Sequence, residues 1–166
     1  MIYLNEAEIP PAKTVKYLGL HLDTKLNWRE HITKKRKQMD LRYKELYWLL
    51  GRSSHLSINN KLLLYKTVIA HIWTYGLELW GCASKSNIAI IQRFQSKLLR
   101  AIVNAPWYIT NAMIHSDLGI PTVQDVIHKR SNKHRAKLQS HSNPLLQSLS
   151  RDNIPRRLKR RWPTDL

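Results

Sequence analysis

The strongest constraint on the fold is the segment from Leu62 to Trp80, which is apolar on most of its helical faces. At helical spacing, one stripe contains Leu62, Tyr65, Ile69, Ile72, Gly76 and Leu79, and other faces carry Leu63, Val68, Trp73, Leu77 and Trp80. A helix that is apolar on most sides needs neighbours around it, so the segment predicts the central helix of a bundle. Because Lys66, His71 and Glu78 interrupt it, a buried helix is favoured over a membrane span.

Helical periodicity also marks the segments before and after this central helix. Asn27 is predicted to cap a helix that ends near Leu50, with Gly51 as its stop, and Ser57 is predicted to cap the central helix. A further helix is predicted from Ser86 to about Val103. The side chains predicted to face inward from the two flanking helices are Trp28, Ile32, Met39, Tyr43, Leu46 and Leu50, and Ile88, Ile91, Phe94 or Gln95, Leu98 and Ile102.

Shorter and more polar helices are predicted beyond Pro106. One runs from about Thr110 to Leu118 and stops at Gly119, and Thr122 caps another that continues to about His141. Asn143-Pro144 is predicted to end that helix, and a polar tail follows.

The first 26 residues have the period of β-structure. Ile2 to Leu4 and Val15 to Leu22 are predicted strands, and the second places Leu18, Leu20 and Leu22 on one face that must be covered. The predicted fold is therefore mainly α, with a short N-terminal β-ribbon followed by an antiparallel helical bundle and a basic C-terminal tail.

The charge balance points to a partner of opposite sign. The chain of 166 residues has 28 Lys and Arg against 11 Asp and Glu, a formal net charge of +17. A polyanion such as nucleic acid is favoured, because each phosphate contact releases condensed counterions. An anionic membrane and an acidic protein are the alternatives. Cys82 is the single cysteine, and the first residues lack the features of a signal peptide, so an intracellular, reducing location is expected.

The residues needed for metal-dependent or nucleophilic catalysis are not grouped in this sequence. No two of the eleven acidic residues are adjacent, the histidines are scattered, and the five glycines are isolated. Asp23 follows a strand, and a turn residue is favoured there over a Mg²⁺ ligand. Cys82 is favoured as a small buried residue over a nucleophile. The sequence predicts no catalytic residue, no metal site and no cofactor in this chain.

Binding chemistry is better represented. Lys129, Lys133 and Lys137, with Arg130 beside them, form a basic ladder that either tracks a phosphate backbone or is a solvated helix face. The basic cluster near the carboxyl end, interpreted as a nuclear-import signal or a phosphate clamp, comprises Arg156, Arg157, Lys159, Arg160 and Arg161. Trp107 follows a proline outside a helix and is the best candidate for stacking on a base, although burial in the core is favoured over it.

Several long strings of this sequence resemble, in the same order, the reverse transcriptases of non-LTR retrotransposons of the jockey type. The strings are VKYLGLHLDTKLNWREHI, KLLLYKTVIAHIWTYGLELWG, SNIAIIQRFQSKLLRAIVNAPWYITN, DLGIPTV, NPLL and RRLKRRWPTDL. They cover nearly the whole chain, so the resemblance is far more specific than a single short motif.

The resemblance implies a role for each part of the chain. Residues 1–26 resemble the end of the palm and the primer grip, and 27–105 a thumb-like helical bundle that packs along a primer–template duplex. Residues 106–149 resemble a C-terminal helical extension, and 150–166 are a basic tail. The family's catalytic aspartates, which hold Mg²⁺, belong to a palm that precedes these segments. Binding without polymerisation is therefore the expectation.

The resemblance and the charge together define the candidate site. The expected partner is an RNA–DNA primer–template or element RNA, contacted mainly through phosphates and in the nucleus, with no membrane involved. The alternatives are a module adopted by the host and a non-functional remnant of an element. The remaining candidate contacts are Lys16, Tyr17 and Gly19 in the ribbon and Lys34, Lys35, Lys37 and Lys44 in the first helix.

Overall fold

The structure is a computed structural model, and it describes residues 2–4, 7–9 and 12–148. Helices account for most of this part, and four short strands lie at its N-terminal end, so the mainly α fold class is confirmed. The strands are β1 Ile2–Leu4, β2 Ala7–Ile9, β3 Thr14–Tyr17 and β4 Leu20–Asp23. The helices are α1 Arg29–Glu45, α2 Tyr47–Leu50, α3 Ile58–Leu64, α4 Ala70–Thr74, α5 Leu77–Trp80, α6 Lys85–Ile102, α7 Asn111–Asp117, α8 Val123–Gln139 and α9 Pro144–Ser148.

The strands form two separate antiparallel hairpins, β1 with β2 and β3 with β4. The prediction of one strand from Val15 to Leu22 is therefore wrong. The chain reverses at Leu18 and Gly19, whose φ angles are 45° and 77°, and Tyr17 then pairs with Leu20. Positive φ at both central residues is the geometry of a tight two-residue hairpin turn. This turn separates the leucines that a single strand would have aligned.

Asp23 organises the passage from β4 into α1. Its carboxylate accepts backbone N–H bonds from Lys25 at 3.0 Å, from Asn27 at 2.8 Å and from Trp28 at 2.8 Å. This confirms the predicted turn role of Asp23. The predicted cap at Asn27 is wrong by one residue, because Trp28, in the left-handed conformation, stands at the helix start. The predicted end near Leu50 is reached only after a break that separates α1 from α2.

The central segment is not one regular helix as predicted. Ser57 caps α3 as expected, its hydroxyl accepting the backbone N–H of Asn60 at 3.3 Å. The segment Tyr65–Ile69 then widens into a π-helix before α4. At Tyr75 the backbone becomes extended, and Gly76, with a φ of 64°, starts α5. The break leaves Tyr75 exposed on the surface.

The last two predicted helices begin close to the predicted residues, and the cap predicted at Thr122 is confirmed. Thr110 caps α7, and Thr122 caps α8 in a capping box with Asp125. Helix α6 begins at Lys85, one residue before the predicted start at Ser86, and Ser84 caps it. Asn143-Pro144 does not lead directly into a tail, because Pro144 begins α9. Proline suits that place, since the first turn of a helix leaves its N–H groups unpaired.

The apolar core lies between the central segment, α1 and α6, and it extends to α7 and α8. The side chains buried as predicted include Trp28, Ile32, Met39, Tyr65, Ile69, Trp73, Leu77, Trp80, Ile88, Ile91, Leu98 and Ile102. Both alternatives on α6, Phe94 and Gln95, are buried. Among the described helices, none has the length and apolar character needed to cross a bilayer.

Candidate nucleic-acid interface

Tyr75 is the point where three distant segments of the chain meet. Its hydroxyl donates a hydrogen bond to the carbonyl of Leu18 in the β3–β4 turn, at 2.7 Å. The ammonium of Lys35, on α1, lies 5.3 Å from the centre of the Tyr75 ring, within cation–π range. A Cβ on Gly19 would contact the same ring at 3.3 Å, so the hairpin turn packs closely against it. The tip of the hairpin is thereby fixed to the break in the central segment.

The basic side chains beside Tyr75 lie close enough to perturb one another. The pKa of Lys35 is lowered by partial burial and then by the charge of Lys16 on β3. Burial followed by the charges of Lys34 and Lys16 also lowers the pKa of His21 on β4. Lys34 Nζ lies 3.3 Å from His21 Nδ1 and 3.2 Å from the Glu30 carboxylate. The site therefore concentrates positive charge that a bound anion would relieve.

A buried histidine on α1, His31, contacts β4 from the core. His31 is fully buried, with ring centroids 6.0 Å from Trp28 and 6.2 Å from Trp80. Its Nδ1 accepts the backbone N–H of His21 at 3.3 Å. Burial, followed by the charges of Lys35 and His21, lowers its pKa to about 4. His31 is therefore neutral near pH 7 and packs as part of the aromatic core.

The basic ladder of α8 joins the same surface through Arg130. The guanidinium of Arg130 donates to the carbonyl of Thr74, next to Tyr75, at 2.9 Å. Lys129, Lys133 and Lys137 are exposed, and within the described part of the chain none of them forms an ion pair. Their spacing of four places them along one face of the helix.

We name the group formed by Lys16, Lys34, Lys35, Tyr75 and Arg130 the Tyr75 cluster. The structure thus brings together sequence-predicted candidates from β3, α1 and α8. Tyr17 and Gly19 lie at the exposed hairpin tip beside it. Lys37 and Lys44 are exposed further along α1 and are not part of this cluster.

Two further groups of predicted contacts, Trp107 and the basic cluster near the carboxyl end, are not among the residues of the Tyr75 cluster. The prediction that Trp107 is buried is wrong, because 91% of its surface is exposed. Pro106 and the turn before it carry the loop away from the core. The candidates Arg156, Arg157, Lys159, Arg160 and Arg161 lie outside the described residues.

Sequence reasoning missed Tyr75 and His21 as parts of the site. The signal for Tyr75 was the Tyr75-Gly76 pair inside an otherwise helical apolar segment. A glycine there indicates a break that turns its neighbour outward. His21 carried no comparable signal, because its role depends on the distance to Lys34.

Groups of three or more His, Cys, Asp or Glu side chains arranged to hold a metal ion do not occur among the described residues. Cys82 is half-buried, and its thiol donates to the carbonyl of Leu79 at 3.2 Å.

Comparison with known proteins finds relatives that match nearly the whole of this chain. The chain is 40% identical over 165 residues to the probable RNA-directed DNA polymerase from transposon X-element of Drosophila melanogaster. It is 33% identical over 174 residues to the RNA-directed DNA polymerase from mobile element jockey of Drosophila funebris. It is homologous to the C-terminal part of jockey-type RNA-directed DNA polymerases.

The similarity covers 99% of this chain in both comparisons, but only 18% and 19% of the two relatives. The chain thus spans less than a fifth of the length of these polymerases. No protein-family model matches the chain, and no solved structure matches it.

Proposed function

We propose that this chain is the nucleic-acid-binding C-terminal part of a non-LTR retrotransposon reverse transcriptase and holds a primer–template duplex or element RNA. The observation that carries the proposal is the convergence of basic residues from β3, α1 and α8 on Tyr75. These residues lie far apart in the sequence, so the fold itself assembles the charge. The relatives, whose names describe RNA-directed DNA polymerases, provide independent support.

The chemistry of the Tyr75 cluster suits a phosphate backbone. Lysine and arginine side chains on a firm scaffold contact phosphates without reading the base sequence. Partial burial, followed by the charge of Lys16, lowers the pKa of Lys35. A phosphate beside it would favour its charged form and offset the repulsion from Lys16.

The proposal assigns binding to this part of the enzyme and metal-dependent chemistry elsewhere. Phosphoryl transfer by polymerases needs carboxylates that converge on Mg²⁺. We assign that role to the remaining four-fifths of the relatives' length. We extend the proposal to a nuclear location, which the basic run Arg156–Arg161 supports as an import signal.

The test is fluorescence-anisotropy titration of the chain with an RNA–DNA primer–template, single-stranded RNA and duplex DNA, each over a salt series. The test variant combines Lys16→Gln, Lys35→Gln and Arg130→Gln. The control removes the same charge from three exposed basic residues outside the cluster that, like the test residues, form no ion pair within the described part of the chain, with Arg52→Gln, Lys66→Gln and Lys85→Gln. Net charge then falls equally, and only the location differs.

We expect the test variant to bind more weakly and to lower the slope of log K against log salt by up to about 3, since each lost phosphate contact removes about 0.9 on B-form DNA. The control variant should lose clearly less affinity, and its salt slope should change clearly less. Equal losses in the two variants would show that net charge alone drives binding, and the proposed site would be refuted.

A further inference from the structure

The solvent-facing side of α6 carries a second group of basic residues, separate from the Tyr75 cluster. Arg93, Lys97 and Arg100 lie within about 60° around the helix axis, given 3.6 residues per turn. The buried residues Ile91 and Leu98 lie on the opposite side of the helix. No acidic residue occurs in the sequence between Glu78 and Asp117, so no nearby carboxylate along the chain offsets this charge.

The last of these residues fixes the loop that follows the helix. The Arg100 guanidinium donates to the carbonyl of Pro106 at 2.8 Å and to the carbonyl of Ile109 at 2.6 Å. It also donates to the side-chain oxygen of Asn111 at 3.0 Å. One side chain therefore joins the end of α6, both ends of the loop tip and the start of α7. The segment between Pro106 and Ile109 is held in place without being buried.

This loop presents two aromatic rings to solvent. Trp107 is 91% exposed and Tyr108 is 64% exposed. Their centroids are 6.0 Å apart with an interplanar angle of 82°. In this edge-to-face arrangement Tyr108 supports the orientation of the indole while Trp107 stays almost wholly open to a ligand. The indole is thus both oriented and available.

We propose that Trp107, with Arg93 and Lys97, forms a binding site for single-stranded nucleic acid, in which an unpaired base stacks on the indole. Lys97 and Arg93 are separated by a helical rise of about 6 Å, which is on the scale of the phosphate spacing of an extended strand. Aromatic rings beside basic side chains are the usual means of binding single strands without sequence preference. The site adds a second surface to the proposed function and does not depend on the Tyr75 cluster.

The surroundings of Trp107 favour this ligand over others. A base inside a duplex is already stacked on both sides, so a projecting indole has no open face to meet. Asn104, Thr110 and Asn111 near the loop are polar, whereas a membrane-bound helix or loop needs a wider apolar face. Arg93 and Lys97 lie on the same face of α6 as Arg100, which is bonded to this loop, and their positive charge matches phosphates.

The experiment uses the full chain and a single-stranded oligonucleotide that contains one 2-aminopurine. Stacking on Trp107 should quench the 2-aminopurine fluorescence on binding. Trp107→Ala should abolish the quenching and weaken binding by about 5- to 160-fold, the range expected for one stacked base. Trp107→Phe should restore part of both, because it retains an aromatic face.

Three comparisons make the result specific. Trp48→Ala removes another exposed tryptophan, on α2, and should leave quenching unchanged. Arg100→Lys keeps the charge but cannot span the three acceptors, so it should reduce quenching more than it reduces affinity. The Lys16, Lys35 and Arg130 variant should retain quenching, which separates this site from the Tyr75 cluster.

The proposal is overturned if Trp107→Ala binds and quenches like the unaltered chain, or if Trp48→Ala loses as much. It is also overturned if removing Trp107 weakens binding to anionic lipid vesicles while leaving oligonucleotide binding intact. Because Trp107 is exposed, the thermal unfolding of Trp107→Ala should match that of the unaltered chain, and this confirms that the variant is folded.

Discussion

Gly76 connects the fold to the Tyr75 cluster, and replacing it should damage both. Its φ of +64° is in the left-handed region, and an added Cβ would lie 2.7 Å from Leu20 Cδ2. Gly119 provides a matched control, because its φ is +59° and an added Cβ would have no neighbour within 4 Å. The two glycines share the backbone conformation and differ in the space around them.

The expected loss of unfolding free energy follows from the backbone conformation and from the space around each glycine. A left-handed conformation costs a residue with a Cβ about 1–2 kcal/mol, and this cost applies to both Gly76→Ala and Gly119→Ala. Overpacking a filled site costs about 1–3 kcal/mol more, and it applies only at Gly76. The atom in the way is the end of the Leu20 side chain, which is buried, so Leu20 must either take a less favourable rotamer or move β4 away from the central segment. Gly76→Ala should therefore lower the free energy of unfolding by about 2–5 kcal/mol in total.

Urea unfolding of both variants measures this difference directly. A double-mutant cycle with Leu20→Ala isolates the clash, because the smaller side chain should recover most of the extra cost at Gly76. Displacing the hairpin also moves Leu18 from the Tyr75 hydroxyl, so Gly76→Ala should weaken binding to the primer–template more than Gly119→Ala does. If the two glycine variants lost equal stability, the close packing of Leu20 on Gly76 would be refuted.

Three further predictions concern stability. The pKa of His31 is lowered from 6.5 to about 4. The free energy of unfolding should therefore be highest above pH 6.5 and should fall by up to about 3 kcal/mol as the pH drops towards 4, because the unfolded chain binds the proton first. Urea unfolding across that range tests it, and His31→Gln should remove most of the dependence. Tyr65→Phe should cost about 1 kcal/mol, because Gln95 Nε2 donates to the Tyr65 hydroxyl at 2.9 Å; an unchanged urea midpoint would contradict this. Thr122→Ala should cost about 1 kcal/mol by removing the capping box with Asp125, whereas Thr122→Ser should retain it in thermal unfolding.

Local chemistry made much of the fold predictable. Ser57, Thr110 and Thr122 cap helices because a short side-chain oxygen satisfies an N–H within its own turn, and no distant residue is needed. The apolar spacing located the core for the same reason. Local patterns failed where packing across the molecule decides the backbone, as in the π-helix Tyr65–Ile69 and the break at Gly76.

The hairpin of β3 and β4 shows why the N-terminal segment was mispredicted. Two-residue hairpin turns usually contain Asn-Gly or Asp-Gly as their central residues. Here the turn is Leu18-Gly19, and a leucine with a positive φ has no sequence signature. The contact with Tyr75 helps to hold it in that conformation, and Tyr75 lies 57 residues away.

The sequence predicts which residues belong to the candidate site, but it does not predict how they are arranged in space. Charge and the family resemblance together identify the basic residues of β3, α1 and α8. Their meeting at Tyr75 depends on hydrogen bonds between segments, which no local pattern encodes. The exposed position of Trp107 likewise depends on the three bonds of Arg100.

The long separations in these hydrogen bonds also set the order of folding. Tyr75 joins Leu18 across 57 positions, and Arg130 joins Thr74 across 56. Each bond closes a long loop, and the chain entropy of closure must be offset before the bond can form. We therefore expect the helices to form before the tip of the hairpin docks on Tyr75. Regions that dock last on weak local contacts are the first to open in the native state. Transient detachment of the hairpin would disperse the clustered charges while the helical core stays folded, so binding at the proposed site would depend on how often the hairpin detaches.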